Sequence, residues 1–203
     1  MSFFSNLFGK RKKEMYQLSF ELDTDWRERD EYGLLNLLQE FKLFRKGRSK
    51  KVTNILRKAD VGTDSEVYIF DYAYLTGNGK SNRKYRQTVF FVNAKELNLP
   101  TFMMKPENFF HKIGQYLGWT KDIDFETHPE FSDQYLLQGQ SEPFVRDTFH
   151  DELLHFFSVE KDWCLEGMNY YLIFYKHGHR IPVDQIKDFY EKGLYVFDML
   201  ANP

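Results

Sequence analysis

The chain has one cysteine, Cys164, in 203 residues, so it can form no internal disulfide, which points to a reducing compartment. The flanking pair Trp163 and Leu165 reads as a strand entering the core, which makes Cys164 a buried, inert thiol. No window holds the roughly 20 apolar residues that span a bilayer. The basic cluster at residues 10–13 follows the first apolar residues instead of preceding them, so no secretory leader is expected.

Nucleotide and nucleophile signatures are missing too. There is no GxGxxG, no P-loop and no GxSxG. Gly79-Lys80-Ser81 ends like a Walker motif, but the upstream glycine is absent and no helix follows, so it reads as a hairpin loop. Six histidines are scattered. His150 and His155 are five apart, roughly 500° around a helix, and do not face together. With one cysteine, no zinc site and no other metal or cofactor is expected. Asp122, Asp124 and Glu126 lack calcium-loop spacing and read as a solvated acidic link.

Aromatic residues, by contrast, are abundant: 21 Phe, 13 Tyr and 3 Trp, in a chain that is 42% hydrophobic. Large rings bury much area each, so they point to a Phe-rich core with Tyr on half-exposed strands. Net charge is −2 but unevenly placed. Residues 1–100 carry 19 Lys and Arg against 13 Asp and Glu, and residues 101–203 carry 9 against 17. The first half is therefore suited to an anionic surface, or to the second half.

Periodicity gives an α+β chain of antiparallel β-hairpins with helices packed on one face. Alternation predicts a strand at 16–22. Leu34, Leu35, Leu37, Leu38 and Phe41 predict a helix of two or three turns, and 52–56 a strand. Strands at 67–75 and 85–92 form a long hairpin around the loop 76–82, with Arg86 among the cations near its tip. Further strands fall at 102–105 and 131–138, and a hairpin at 163–176. Helices are expected from Asn108 to Leu117, from Ser141 through Phe157, and from Val183 onward. The division is an N-terminal segment 1–14, a lobe 15–118, an acidic link 119–129 and a lobe 130–203, the lobes sharing a core.

Two segments carry the functional expectation. The first is a basic stretch joined by the hairpin tip: Lys42, Arg45, Lys46, Arg48, Lys50, Lys51, Lys80, Arg83 and Lys84. Cations on adjacent elements make an electropositive face for phosphates. The pI near 6.3 argues against a dedicated nucleic-acid binder. The second segment is the start of the chain. Phe3, Phe4, Leu7 and Phe8 share a helical face beside Lys10, Arg11, Lys12 and Lys13, the composition of a weak membrane-surface anchor.

The chain resembles a little-characterised bacterial family of unknown function. The likeness rests on residues 67–89, on Leu99-Pro100-Thr101-Phe102-Met103-Met104-Lys105-Pro106-Glu107, on residues 131–139 and on Val145-Arg146-Asp147. It covers about two thirds of the chain. Some relatives carry N-terminal membrane segments, and the resemblance transfers no catalytic residue. The leading reading is a non-enzymatic binding or scaffold module in the cytoplasm, peripheral to the inner membrane face. Its expected partner is an anionic lipid surface or a protein. The alternative is an enzyme with a site between the lobes, using Arg146, His155 and Glu166.

Overall fold

The computed structural model describes residues 3–62, 64–77, 81–107 and 122–202, with side chains from residue 9 onward. The expected helix from Asn108 lies outside them, as does Lys80. Helix α1 (Phe3–Glu21) leads into β1 (Asp25–Arg29), the single-turn helices α2 (Leu34–Leu37) and α3 (Lys42–Arg45), and β2 (Arg48–Asp60). Strands β3 (Ser65–Thr76), β4 (Arg83–Asn93) and β5 (Leu99–Pro106) follow. After the link come α4 (Pro129–Gln134), β6 (Tyr135–Gly139), α5 (Glu142–Thr148), α6 (Asp151–Val159), β7 (Cys164–Asn169) and β8 (Tyr171–Tyr175). A 3₁₀ turn at Val183–Gln185 opens α7 (Ile186–Ala201).

The eight strands form one antiparallel sheet in the order β1-β2-β3-β4-β8-β7-β5-β6. Residues 15–118 and 130–203, expected as two lobes, both contribute to it, with β8 and β7 seated between β4 and β5. The 67–75 and 85–92 hairpin is present, with Tyr68 opposite Phe91 and Tyr74 opposite Tyr85.

Both faces of the sheet are apolar, because successive strand residues alternate between them. Ile69, Phe90, Val92, Leu172 and Phe174 pack under Met15 and Leu18 of α1, Leu22 just after it, and the buried residues of α5, α6 and α7. On the other face Tyr68, Phe70, Tyr72, Val89, Phe91 and Ile173 meet Leu34, Leu38, Phe41, Leu43 and Phe44. The four longer helices thus share one face, and the short α2–α3 segment covers the other. Cys164 is buried in that second cluster, and burial pushes its thiol up to about 12.

Several local expectations change. Residues 16–21 are helical, not a strand, because Arg11, Met15, Leu18 and Leu22 recur at helical spacing on the inward side. The expected helix over 34–41 is a single turn, Leu34–Leu37, and the next turn starts only at Lys42. Asp30 accepts the Leu34 and Leu35 amides at 2.9 Å each and fixes the first. The strand expected at 131–138 begins at Tyr135, since Pro129 opens a helical turn first. The helix begun after Ser141 breaks at Phe149 and His150, whose backbones leave the helical region. The His150 ring there meets the Met199 carbonyl at 2.8 Å.

Candidate anion-binding hollow

The site begins with one acid in an apolar strand. Asp71 shares its face of β3 with Val67 and Ile69, yet is only 6% exposed. A buried carboxylate must be paired and hydrogen-bonded. Arg11, 8% exposed, reaches down from α1 and holds it with a two-pronged contact, Nε to Oδ2 and Nη2 to Oδ1, both 2.7 Å. The Thr88 hydroxyl donates to Oδ1 at 3.1 Å, and Asn54 Nδ2 donates to Oδ2 at 3.0 Å. The carboxylate therefore accepts four hydrogen bonds, its full capacity.

Backbone geometry makes the last contact possible. The β2–β3 register shifts between Thr53 and Leu56, and Asn54 adopts φ +53°, a left-handed conformation Asn tolerates. Arg11 Nη1 also donates to the Ile181 carbonyl at 2.8 Å, while the Ile181 amide donates to Thr88 Oγ1 at 3.0 Å. One buried ion pair thereby ties α1, β2, β3, β4 and the loop before α7.

Beside this pair the sheet surface dips. Thr53, Asp71 and Thr88 form one rung across β2, β3 and β4; Lys51, Ala73 and Arg86 form the next, and Lys84 stands opposite Leu75 beyond it. Ala73 carries only a methyl group between two long cations, which leaves a hollow of about 390 Å³. Its walls are Arg11 and Lys12 of α1, Arg29 of β1, Lys51 of β2, Lys84 and Arg86 of β4, and Arg180. Among the described residues, two carboxylates, Glu28 and Asp71, stand against these seven cations. Both are engaged, Glu28 by Lys12 and Asp71 by Arg11. The Lys12 hydrogen bond holds the Glu28 carboxyl below its ordinary range.

Crowded like charges disfavour each other's protonation. Burial, then Arg86 and Lys51, lowers the Lys84 ammonium. Burial also lowers Arg180, with Arg11 and Arg86 adding to it and Asp71 opposing. The neighbouring hollow of about 650 Å³ lacks this bias, being lined by Glu14, Glu21 and Asp184 as well as Lys10, Arg11 and Arg180.

Of the cations expected from sequence, the structure brings Lys51, Lys84 and Arg86 together. Lys50 is a half-buried neighbour of Lys51. Arg48 clasps the hairpin end through the Gly77 carbonyl at 2.6 Å and Asn82 Oδ1 at 2.8 Å. Arg83 lies 4.9 Å over the Tyr85 ring. Lys42, Arg45 and Lys46 belong to or follow α3 on the opposite face, where Arg45 pairs with Glu40. Of the N-terminal set, Lys10 pairs with Glu14 at 3.5 Å, Arg11 points inward, Lys12 rims the hollow and Lys13 is exposed. Phe3, Phe4, Leu7 and Phe8 fall within the backbone span of α1, but their side chains lie outside those described. Arg29, Arg180, Asn54, Asp71 and Thr88 were not singled out from the sequence. Asp71, alone among apolar neighbours in 67–75, was the legible signal.

Arg146, His155 and Glu166 do not converge. Glu166, on the α2–α3 face, accepts the Lys42 and Leu43 amides at 2.6 and 3.1 Å and the Tyr175 hydroxyl at 2.9 Å. It caps α3 from a distant strand, and burial raises its pKa. Arg146 on α5 and His155 on α6 belong to helices of the other face. Arg146 contacts Glu142 and the Asp124 carbonyl.

The fold defined here is a mixed α+β one, an eight-stranded antiparallel sheet with a helical layer. No protein-family model and no curated protein matches the chain. Among solved structures, it is similar to the crystal structure of the mycobacterial trehalose monomycolate transport factor A, TtfA. The TM-score is 0.65 over 94% of each chain, at 10% sequence identity, a likeness of fold. Among the described residues, no helix is long and apolar enough to cross a membrane.

Proposed function

We propose that the chain is a non-enzymatic binding module whose contact surface is the basic hollow, and that it works against an anionic lipid surface at the cytoplasmic membrane face. The observation that carries this reading is the lining itself: seven cations and two engaged carboxylates around one concavity. Such a surface attracts anions over a Debye length and concentrates them in a low-dielectric recess. The hollow is walled by α1, whose first turns hold Phe3, Phe4, Leu7 and Phe8 in sequence. An apolar wedge beside cations is the two-signal arrangement of reversible membrane contact. That a protein of this fold is named as a transport factor accords with a binding role.

The test is vesicle co-sedimentation with neutral and anionic vesicles at low and high salt. Binding is expected only to anionic vesicles and to weaken as salt rises. Equal recovery in the supernatant under all four conditions would end the membrane reading. Phe4→Glu is expected to abolish sedimentation, and Lys51→Glu to reduce it.

A further inference from the structure

The hollow is more than a charged surface. Its wall facing the core is fixed: Arg11 and Asp71 satisfy each other, and Thr88 and Asn54 complete the carboxylate. The Asp71 charge therefore does not oppose an incoming anion. In front of that wall, Ala73 leaves space, and cations reach it from three separate elements: Lys51 on β2, Lys84 and Arg86 on β4, and Arg180 on the loop before α7. At about 390 Å³ the space falls at the lower end of small-molecule sites.

From this we infer that the hollow is a saturable site for a group carrying two or more phosphate charges, a diphosphate or a phosphomonoester. The inference rests on the binding-module reading and gives its ligand a chemical class. Charge number is the first argument. Seven cations against two carboxylates leave a mutual repulsion that a single carboxylate or a phosphodiester, each −1, relieves only in part. The second argument is geometry. Arginine forks pair two at a time with phosphate oxygens, while lysines act as point charges, and the hollow offers both. The third is Thr53, whose polar side chain lines the recess between the cations. The phosphate can be carried by a lipid headgroup or by a free small molecule. The pocket recognises the chemistry the two sources share.

The probe is inorganic pyrophosphate, titrated into the full chain by calorimetry at constant ionic strength, with chloride and sulfate as comparisons. One saturable site is expected. Lys51→Ala combined with Lys84→Ala removes two exposed cations and is expected to weaken binding by about tenfold or more. Ala73→Leu fills the recess without changing charge and is expected to weaken it similarly. Lys187→Ala, exposed on α7 outside the hollow, is expected to leave it unchanged. Melting curves show whether each variant is folded; should Ala73→Leu fail to fold, the lysine pair still decides. A second arm uses vesicles bearing either a phosphomonoester lipid or a phosphodiester lipid at equal surface charge. Preference for the monoester, reversed by pyrophosphate, assigns the lipid source. Saturable pyrophosphate binding with no vesicle binding assigns a free phosphate, and the membrane reading then falls while the site stands. The inference is overturned if pyrophosphate shows no saturable binding, or binds equally after the lysine substitutions. Vesicle binding in that case would leave the membrane reading alone.

Discussion

At the scale of single residues, the arrangement of the hollow depends on one buried ion pair. Neither partner can be removed cheaply, because the survivor would be a desolvated charge. Asp71→Asn keeps the side-chain shape but turns an acceptor toward Arg11 into a mixed group. Chemical denaturation is expected to show a loss of about 3 kcal/mol. A change under about 0.5 kcal/mol, the size common for exposed pairs, would mean that the pair is not desolvated in solution. His177 offers a test by pH. Burial, with Lys46 and Arg83 nearby, lowers its pKa from 6.5 to about 4. The unfolded chain then binds the proton more readily, so the stability His177 contributes is complete above about 6.5 and is lost as pH falls toward 4. Asp122, raised by burial to about 6, acts oppositely over much of that window, so wild type alone would blur the effect. The comparison is wild type against His177→Asn: their difference in melting temperature is expected to change steadily between pH 6.5 and 4. A constant difference would show that the ring is solvated.

Asp71 was readable as an exception inside an apolar strand. Arg11 was not, since it stands in a run of four cations that composition treats alike. Only the phase of the helix selects it, with Met15, Leu18 and Leu22 sharing its inward side.

That phase is also where the sequence reading failed at the level of elements. Tyr16, Leu18, Phe20 and Leu22 alternate as a strand would, and a seven-residue window cannot tell this from part of a helical stripe. In the helix Tyr16 and Phe20 are exposed and stack edge to face, their centroids 5.0 Å apart. The long hairpin was legible because two stretches rich in β-branched and aromatic residues, Val67 to Leu75 and Tyr85 to Val92, flank a loop of turn-forming residues. The break at Phe149 was not, because apolar spacing continues across it. Helix α7 supplies the element-scale test. Gly193 lets the helix lie against β4: a Cβ there would sit 2.4 Å from Phe90 Cδ2. In an exposed helix Gly→Ala stabilises by about 1 kcal/mol. Here Gly193→Ala is expected to destabilise by about 1–3 kcal/mol through overpacking, measured by thermal or urea unfolding. A stabilised variant would mean that α7 stands off the sheet.

At the scale of the whole molecule, the sheet order explains why the site was only partly visible. Cations distant in sequence, Arg11, Lys51, Lys84 and Arg180, meet because antiparallel pairing brings their strands and helix together. Local charge density instead highlighted Lys42, Arg45 and Lys46, which sit on the opposite face. The excess of basic residues in the first half of the chain is a coarse signal, and topology decides which of them converge. The account's central claim is that the hollow is the contact surface. It is tested most directly by hydrogen–deuterium exchange of the full chain with and without anionic vesicles. Added protection is expected in β2 around residues 48–54, at the start of β4 around 83–88, and in the loop through Arg180. No change there, or protection confined to α5, α6 and α7, would contradict it.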